Sequence, residues 1–200
     1  MSAALVSIIG PPAVGKSTLA ELLCRDLPAR LIREDWQGNP FLAASYAGDA
    51  STRLPGQMYF LLSRVSQLAE TAWPEEGLFV SDYGFCQDRI FARRRLGRDE
   101  LDAYEEVARR LARVVHPPDV LIHLDAEPAA LLARLAVRGR DFERVMDEEF
   151  ISDMRAAYGR AAMEALCPVI ELDCDAADFR EEAVRAELVA KVRKELGCGG

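Results

Sequence analysis

The stretch Ala4-Leu-Val-Ser-Ile-Ile-Gly-Pro-Pro-Ala-Val-Gly-Lys-Ser-Thr-Leu-Ala-Glu-Leu-Leu23 decides the reading of this chain. A run from Ala4 to Ile9 with the composition of a buried strand leads directly into Gly10-Pro-Pro-Ala-Val-Gly-Lys-Ser17, and that into a segment with helical character. The eight central residues fit a P-loop in its strand-loop-helix setting. A loop that wraps a polyphosphate must turn its backbone N–H groups inward, and Gly10 and Gly15, lacking a Cβ, permit this. The helix beginning near Lys16 points its positive end at the same phosphates. In this motif the lysine reaches the β- and γ-phosphates and the serine hydroxyl helps hold Mg²⁺. Gly10, Gly15, Lys16, Ser17 and Thr18 are therefore the expected nucleotide-binding residues, for ATP or GTP. The motif does not say what receives the phosphate.

Outward from the motif, composition sets limits. The 200 residues, half of them hydrophobic, suffice for one domain spanning 1–200 with a proper core. No run approaches the roughly 20 apolar residues needed to cross a bilayer, so no membrane partner is expected. Met1-Ser-Ala-Ala-Leu-Val-Ser carries no basic region, which argues against a cleaved signal and for the cytoplasm. Five cysteines (Cys24, Cys86, Cys167, Cys174, Cys198) lack a CxxC or Cys/His spacing and read as thiols in a reducing compartment. His116 and His123 are too few for a metal cluster, and His123, inside Val120-Leu-Ile-His-Leu, reads as structural. A net charge of −8 argues against a nucleic-acid polymer as partner, because such binding is largely phosphate neutralisation by Lys and Arg. Arg93-Arg94-Arg95 reads as a solvated helix face, or as a local cation cluster for a small nucleotide. The tail Cys198-Gly-Gly carries no pattern and reads as disordered.

Apolar runs predict strands at 4–9, 29–33, 78–82, 119–124 and 169–172. Helical periodicity covers 16–27, 40–47, 56–72, 87–96, 99–114, 127–138, 147–165 and 178–195. Such alternation implies a parallel sheet covered on both faces, with ligands beyond the carboxyl ends of the strands. That rule singles out Glu34-Asp35, Ser81-Asp82 and Asp125. A kinase acting on an alcohol needs a carboxylate near the acceptor, a metal, and cations for the charge on the transferring group. Glu34 could accept the hydroxyl proton, and Asp82 could hold Mg²⁺ directly or through water. Arg138 and Arg140 flank Gly139 at a helix end, where arginines on a flap can close over phosphates. As ordinary helix-end cations, one would be explained and the pair less well.

Glu34-Asp-Trp-Gln-Gly-Asn-Pro-Phe-Leu, Tyr46, Gln57-Met-Tyr-Phe-Leu-Leu-Ser-Arg64, Ser81-Asp-Tyr, Asp88-Arg-Ile-Phe-Ala and Arg138-Gly-Arg together resemble the deoxynucleoside kinase family over nearly the whole chain. The resemblance implies a P-loop NTPase-type α/β sandwich of three layers, with a five-stranded parallel sheet in order 2-3-1-4-5 and a short arginine-bearing lid. It implies ATP and Mg²⁺ as cofactors, a deoxyribonucleoside as acceptor and a homodimer, for which the apolar face Met58, Leu61, Leu62, Val65 and Leu68 is a candidate unless it belongs to the core. Catalysis would fall to Glu34 as general base, Lys16, Arg138 and Arg140. Tyr46 and Glu143 would touch the sugar 3′-hydroxyl, Gln57 would pair with the base edge, and Arg64 with Asp88 would read a purine or cytosine, tilting the preference away from thymidine. Phe41, Phe60 and Phe85 are open between packing on the base and packing in the core.

Two departures stand out. The better-known branch has Glu-Arg-Ser where this chain has Asp82-Tyr83-Gly84, so another cation must replace the arginine; Arg89 or a lid arginine is expected. Asp35 replaces a proline after the general base and either tunes Glu34 or faces solvent. Two other readings fit the same core: a nucleoside monophosphate or other small-metabolite kinase, and an ATP-binding switch without an acceptor.

Overall fold

The structure is a computed structural model and describes residues 2–197, so the Cys198-Gly-Gly expectation lies outside the described residues. Five strands, β1 (Ala4–Ile9), β2 (Arg30–Ile32), β3 (Leu78–Ser81), β4 (Val120–Asp125) and β5 (Val169–Asp173), form one parallel sheet in the order β2-β3-β1-β4-β5, as expected. Central β1 and β4 are buried almost throughout, which is why they read as near-continuous apolar runs rather than alternating ones.

Eight α-helices complete the described fold: α1 (Lys16–Asp26), α2 (Leu42–Tyr46), α3 (Arg53–Leu68), α4 (Gln87–Arg95), α5 (Arg98–Leu111), α6 (Pro128–Arg138), α7 (Glu148–Met163) and α8 (Glu182–Glu195). None is long and apolar enough to cross a membrane. Because strand side chains alternate, β1 serves two clusters. Val6 and Ile8 join Leu19 and Leu23 of α1 and Leu188, Val189 and Val192 of α8, whereas Leu5 joins Phe79 of β3 and Leu68 of α3. A third cluster, Leu61, Ala92, Tyr104 and Ala108, binds α3, α4 and α5 together.

Two helix starts differ from expectation by three residues or more. α3 begins three residues early, at Arg53, which puts Pro55 in the first turn, where its missing N–H has no intrahelical partner to lose. α8 begins at Glu182 because 174–181 is a loop, held by Asp173 Oδ1 accepting from the N–H groups of Asp175 and Ala176 and by Asp178 Oδ1 accepting from that of Arg180. The apolar face of α3 is mainly core: Leu61 and Leu68 are buried, Met58 and Val65 pack on the same clusters, and Leu62 alone of the five is exposed. Arg93 pairs with Glu105 and Arg94 with Asp153 on the surface, while Arg95 turns inward. The four described cysteines are free, and His123 bonds across the sheet to Glu171.

Candidate active site

The loop from β1 to α1 is built by backbone. Gly10 (φ 147°) sits so close to β4 that a Cβ would lie 2.3 Å from the Leu124 carbonyl oxygen, and a Cβ on Gly15 (φ 111°) would lie 2.8 Å from the Phe179 ring. Lys16 folds back on the loop, its Nζ donating to the carbonyls of Gly10 at 2.7 Å and Pro11 at 3.1 Å. Burial lowers the Lys16 pKa to about 8, against the opposing pull of the Glu34 and Asp82 carboxylates. The Ser17 hydroxyl donates to Asp82 Oδ2 at 2.6 Å, while Asp82 Oδ1 accepts from the Glu34 backbone N–H at 2.8 Å. One carboxylate at the end of β3 thus ties the phosphate loop to the residue that follows β2.

A single cleft of about 1040 Å³ runs from this loop across the strand ends to α2 and α3, bordered by 134–146 and 174–181. Gly15, Lys16, Ser17, Thr18, Glu34, Tyr46, Gln57, Arg64, Asp82, Arg138, Arg140 and Glu143 all line it. Gly10 and Asp88 stand behind its wall, each joined to it through a cation, Lys16 and Arg64 respectively.

At the α3 end of the cleft, Arg64 is 3% exposed, with the ring centroids of Phe60 and Tyr83 each 5.2 Å from its guanidinium carbon. Its Nη1 donates to Asp88 Oδ1 and its Nη2 to Glu34 Oε1. Burial lowers the Arg64 pKa, but the Asp88 and Glu34 carboxylates outweigh it and leave it above its ordinary value. Burial pushes the Asp88 carboxyl up, with Arg64 pulling the other way. Gln87 adds a second donor to Glu34 Oε1, through Nε2 at 2.7 Å.

The cation on Glu34 is therefore Arg64, not Arg89. Arg89 is half-exposed and pairs with Glu105 at 2.7 Å, one helix removed from the cleft, and both lid arginines engage Glu143 instead. Tyr83, in place of the arginine, points its hydroxyl at Gln67 Oε1, 2.5 Å away. Asp35 is occupied elsewhere: it accepts from the Tyr59 hydroxyl at 2.5 Å and the Gly38 N–H at 2.9 Å, and these bonds hold its pKa below the ordinary value. Of the three phenylalanines, Phe60 lines the cleft; Phe85 packs into the core among α3, α4 and α5, and Phe41 stands outside the cleft. Phe91 and Phe142 line it in their place.

The lid begins where Gly139 (φ 66°) ends α6 in the left-handed conformation. Arg138 grips buried Glu143 with two bonds, 2.8 and 2.5 Å, and Arg140 reaches the same carboxylate at 3.4 Å. Burial and the neighbouring Arg138 charge lower the Arg140 pKa, so two cations share one carboxylate and an arriving anion is favoured. Arg140 also lies over the Trp36 ring at 3.9 Å, and Phe142 contacts both Trp36 and Tyr46, with centroids 5.8 and 5.4 Å apart. Arg95 covers the Tyr46 ring at 3.6 Å and donates to the Ser45 hydroxyl at 2.6 Å.

Gln87, Trp36, Phe142 and the 174–181 loop have no role in the sequence analysis, and of Arg93-Arg94-Arg95, weighed there as a solvated face or a cation cluster, only Arg95 lines the cleft. One signal was present: Gln87, Phe91 and Arg95 recur every four residues, so one stripe of α4 faces the cleft.

Known proteins resemble this chain in sequence and in fold. The family model described as deoxynucleoside kinase matches residues 6–196. The deoxyguanosine kinase of Bacillus subtilis is 30% identical over 203 residues, covering 98% of each chain, and the deoxyadenosine/deoxycytidine kinase of the same organism is 29% identical over 178 residues, covering 84% of this chain and 81% of its own. Among solved structures, a deoxyadenosine kinase from M. mycoides with dCMP and dCDP bound superposes with a TM-score of 0.81 at 20% identity, covering 95% of this chain and 98% of its own.

Proposed function

The chain belongs to the deoxynucleoside kinase family, and we propose that it transfers the γ-phosphoryl group of ATP to the 5′-hydroxyl of a deoxyribonucleoside, with deoxyadenosine, deoxyguanosine or deoxycytidine favoured over thymidine. The observation that carries this reading is the continuity of the site: Ser17, Asp82 and Glu34 are bonded in series, so a phosphate-binding loop and a candidate base face one cleft. Holding both reactants there turns a bimolecular encounter into an aligned transfer, which is much of what catalysis of this reaction requires.

As the hydroxyl oxygen bonds to the γ-phosphorus, its proton passes to Glu34 and the bond to the bridging oxygen breaks, the electron pair leaving on ADP. Lys16, now spent on its own loop's carbonyls, would exchange them for phosphate oxygens. Arg138 and Arg140 would supply charge from the lid. The all-oxygen pair of Ser17 and Asp82, at the start of α1, fits a hard cation, and Mg²⁺ bound there would neutralise phosphate charge. Tyr46 and Glu143 are assigned to the sugar and Gln57 and Arg64 to the base, with Asp88 holding Arg64 from behind the cleft wall.

A coupled assay with ATP and Mg²⁺ across four deoxyribonucleosides, their ribose counterparts and the monophosphates tests the reading. Product from deoxyribonucleosides is expected; activity confined to monophosphates, or nucleotide binding without product, would replace it. In the same assay Glu34→Gln is expected to lower kcat by about 10²- to 10⁴-fold with ATP affinity retained, the span for loss of a general base. Unchanged turnover would remove Glu34 from the mechanism.

A further inference from the structure

Gln87 is the first residue of α4 and is 3% exposed, yet it lines the cleft. Its amide orientation is fixed by chemistry: the group facing Glu34 Oε1 must donate, because a carboxylate only accepts, so Nε2 is the atom at 2.7 Å. The consequence is an unfavourable one. Among the described residues Gln87 Oε1 is buried with no hydrogen-bond partner, a position that the side chain of methionine would fill without an orphaned acceptor. A side chain that leaves its own acceptor unpaired to deliver one donor is placed for the group receiving that donor.

That group also receives Arg64, on the same oxygen. Two donors from different helices, α3 and α4, converge on Oε1 and fix the rotation of the carboxylate, while Glu34 Oε2 takes no hydrogen bond among the described residues. We propose that Gln87 is a positioning residue for phosphoryl transfer: with Arg64 it clamps Oε1 of Glu34 so that Oε2 is presented to the acceptor hydroxyl. The inference rests on the reading of Glu34 as general base.

Gln87→Met keeps the length of the side chain and removes both the donor and the orphan. The expected result is a kcat lower by about 10- to 100-fold, the usual cost of losing a bond that orients a functional ligand, with KM for nucleoside and for ATP unchanged within about threefold. The thermal midpoint should equal or exceed that of the parent, because no buried acceptor remains unpaired. Gln87→Glu, nearly isosteric, sets an acceptor against Glu34 and should lower kcat at least as far; it decides the matter if the methionine variant does not fold. A kcat within about twofold of the parent in a folded variant overturns the proposal and leaves the proposed function standing. So does a nucleoside KM that rises in place of a fall in kcat, which would make Gln87 a substrate contact. If the parent phosphorylates no deoxyribonucleoside, or if Glu34→Gln retains full turnover, the underlying reading of the site falls and this inference with it.

Discussion

The two ends of the cleft are made differently. At the end proposed to hold phosphate the cleft is built from eight consecutive residues, and the constraint is space: glycine stands where any side chain would strike Leu124 or Phe179. At the acceptor end the working groups are side chains from β2's exit, α3, α4 and the lid, and the constraint is charge: Arg64 is buried between two carboxylates, and Glu143 between two arginines. A backbone site should fail when an atom is added, and a charge network when one is taken away.

The largest effect follows from taking one away. Arg64→Met leaves Asp88 and Glu34 without their shared cation in a buried setting, and a loss of about 3–5 kcal/mol in stability is expected, partly relieved if Asp88 takes up a proton. Chemical denaturation at neutral and mildly acidic pH measures it. Because burial already pushes Asp88 up, the variant should regain stability as the pH falls, and a deficit that does not shrink would mean that the network is solvated. Next comes adding an atom: Gly10→Ala drives a methyl into the Leu124 carbonyl in a conformation that alanine rarely adopts, at a cost of about 2–3 kcal/mol. Nucleotide binding should be lost with it. If Gly10→Ala binds ATP normally, the phosphate end is not built on close approach.

This difference also explains what could be read in advance. The P-loop and the strands themselves were legible, the first because its residues are contiguous and the second because buried parallel strands are continuous apolar runs, whereas the strand order came through family likeness. Glu34 followed from its place at a strand end, whereas Tyr46, Gln57, Arg64, Asp88 and Glu143 came only through family likeness. Gln87 was missed, and Arg95 was not told apart from Arg93 and Arg94, because their partners, Glu34 and Ser45, lie 53 and 50 residues away, and no local pattern encodes a pairing that the fold makes. Arg89 was misjudged because it follows Asp88 directly, and in a helix adjacent residues do not share a face.

A smaller effect separates the ends by pH. Lys16 has a pKa near 8, lowered by burial, and phosphate oxygens favour its charged form. ATP affinity should therefore weaken above pH 8, by up to about tenfold per pH unit, with proton uptake on binding visible as a buffer-dependent heat in calorimetry. The sign for the unliganded fold is opposite: the native state holds fewer protons than the unfolded chain between about 8 and 10.5, so this group adds stability as the pH rises through that window. Lys16→Arg, charged throughout, should flatten the affinity profile. A profile equally steep in both proteins would assign the titration to another group.

The smallest effect probes the same loop in the opposite sense from Gly10→Ala. Ala13 has φ 63°, a left-handed conformation that costs a residue with a Cβ about 1–2 kcal/mol. Ala13→Gly removes that strain but enlarges the freedom of the unfolded chain, worth about 0.4–1 kcal/mol against it. Ala13 also packs its methyl on the main core cluster, a further loss. The balance should fall within about 1 kcal/mol of zero, with ATP binding intact, since the loop presents backbone and needs no side chain at this position. Thermal unfolding and a binding isotherm check both halves. A drop of several degrees in the midpoint would show that the Ala13 methyl holds the loop in place, and that the phosphate end, like the acceptor end, depends on a side chain.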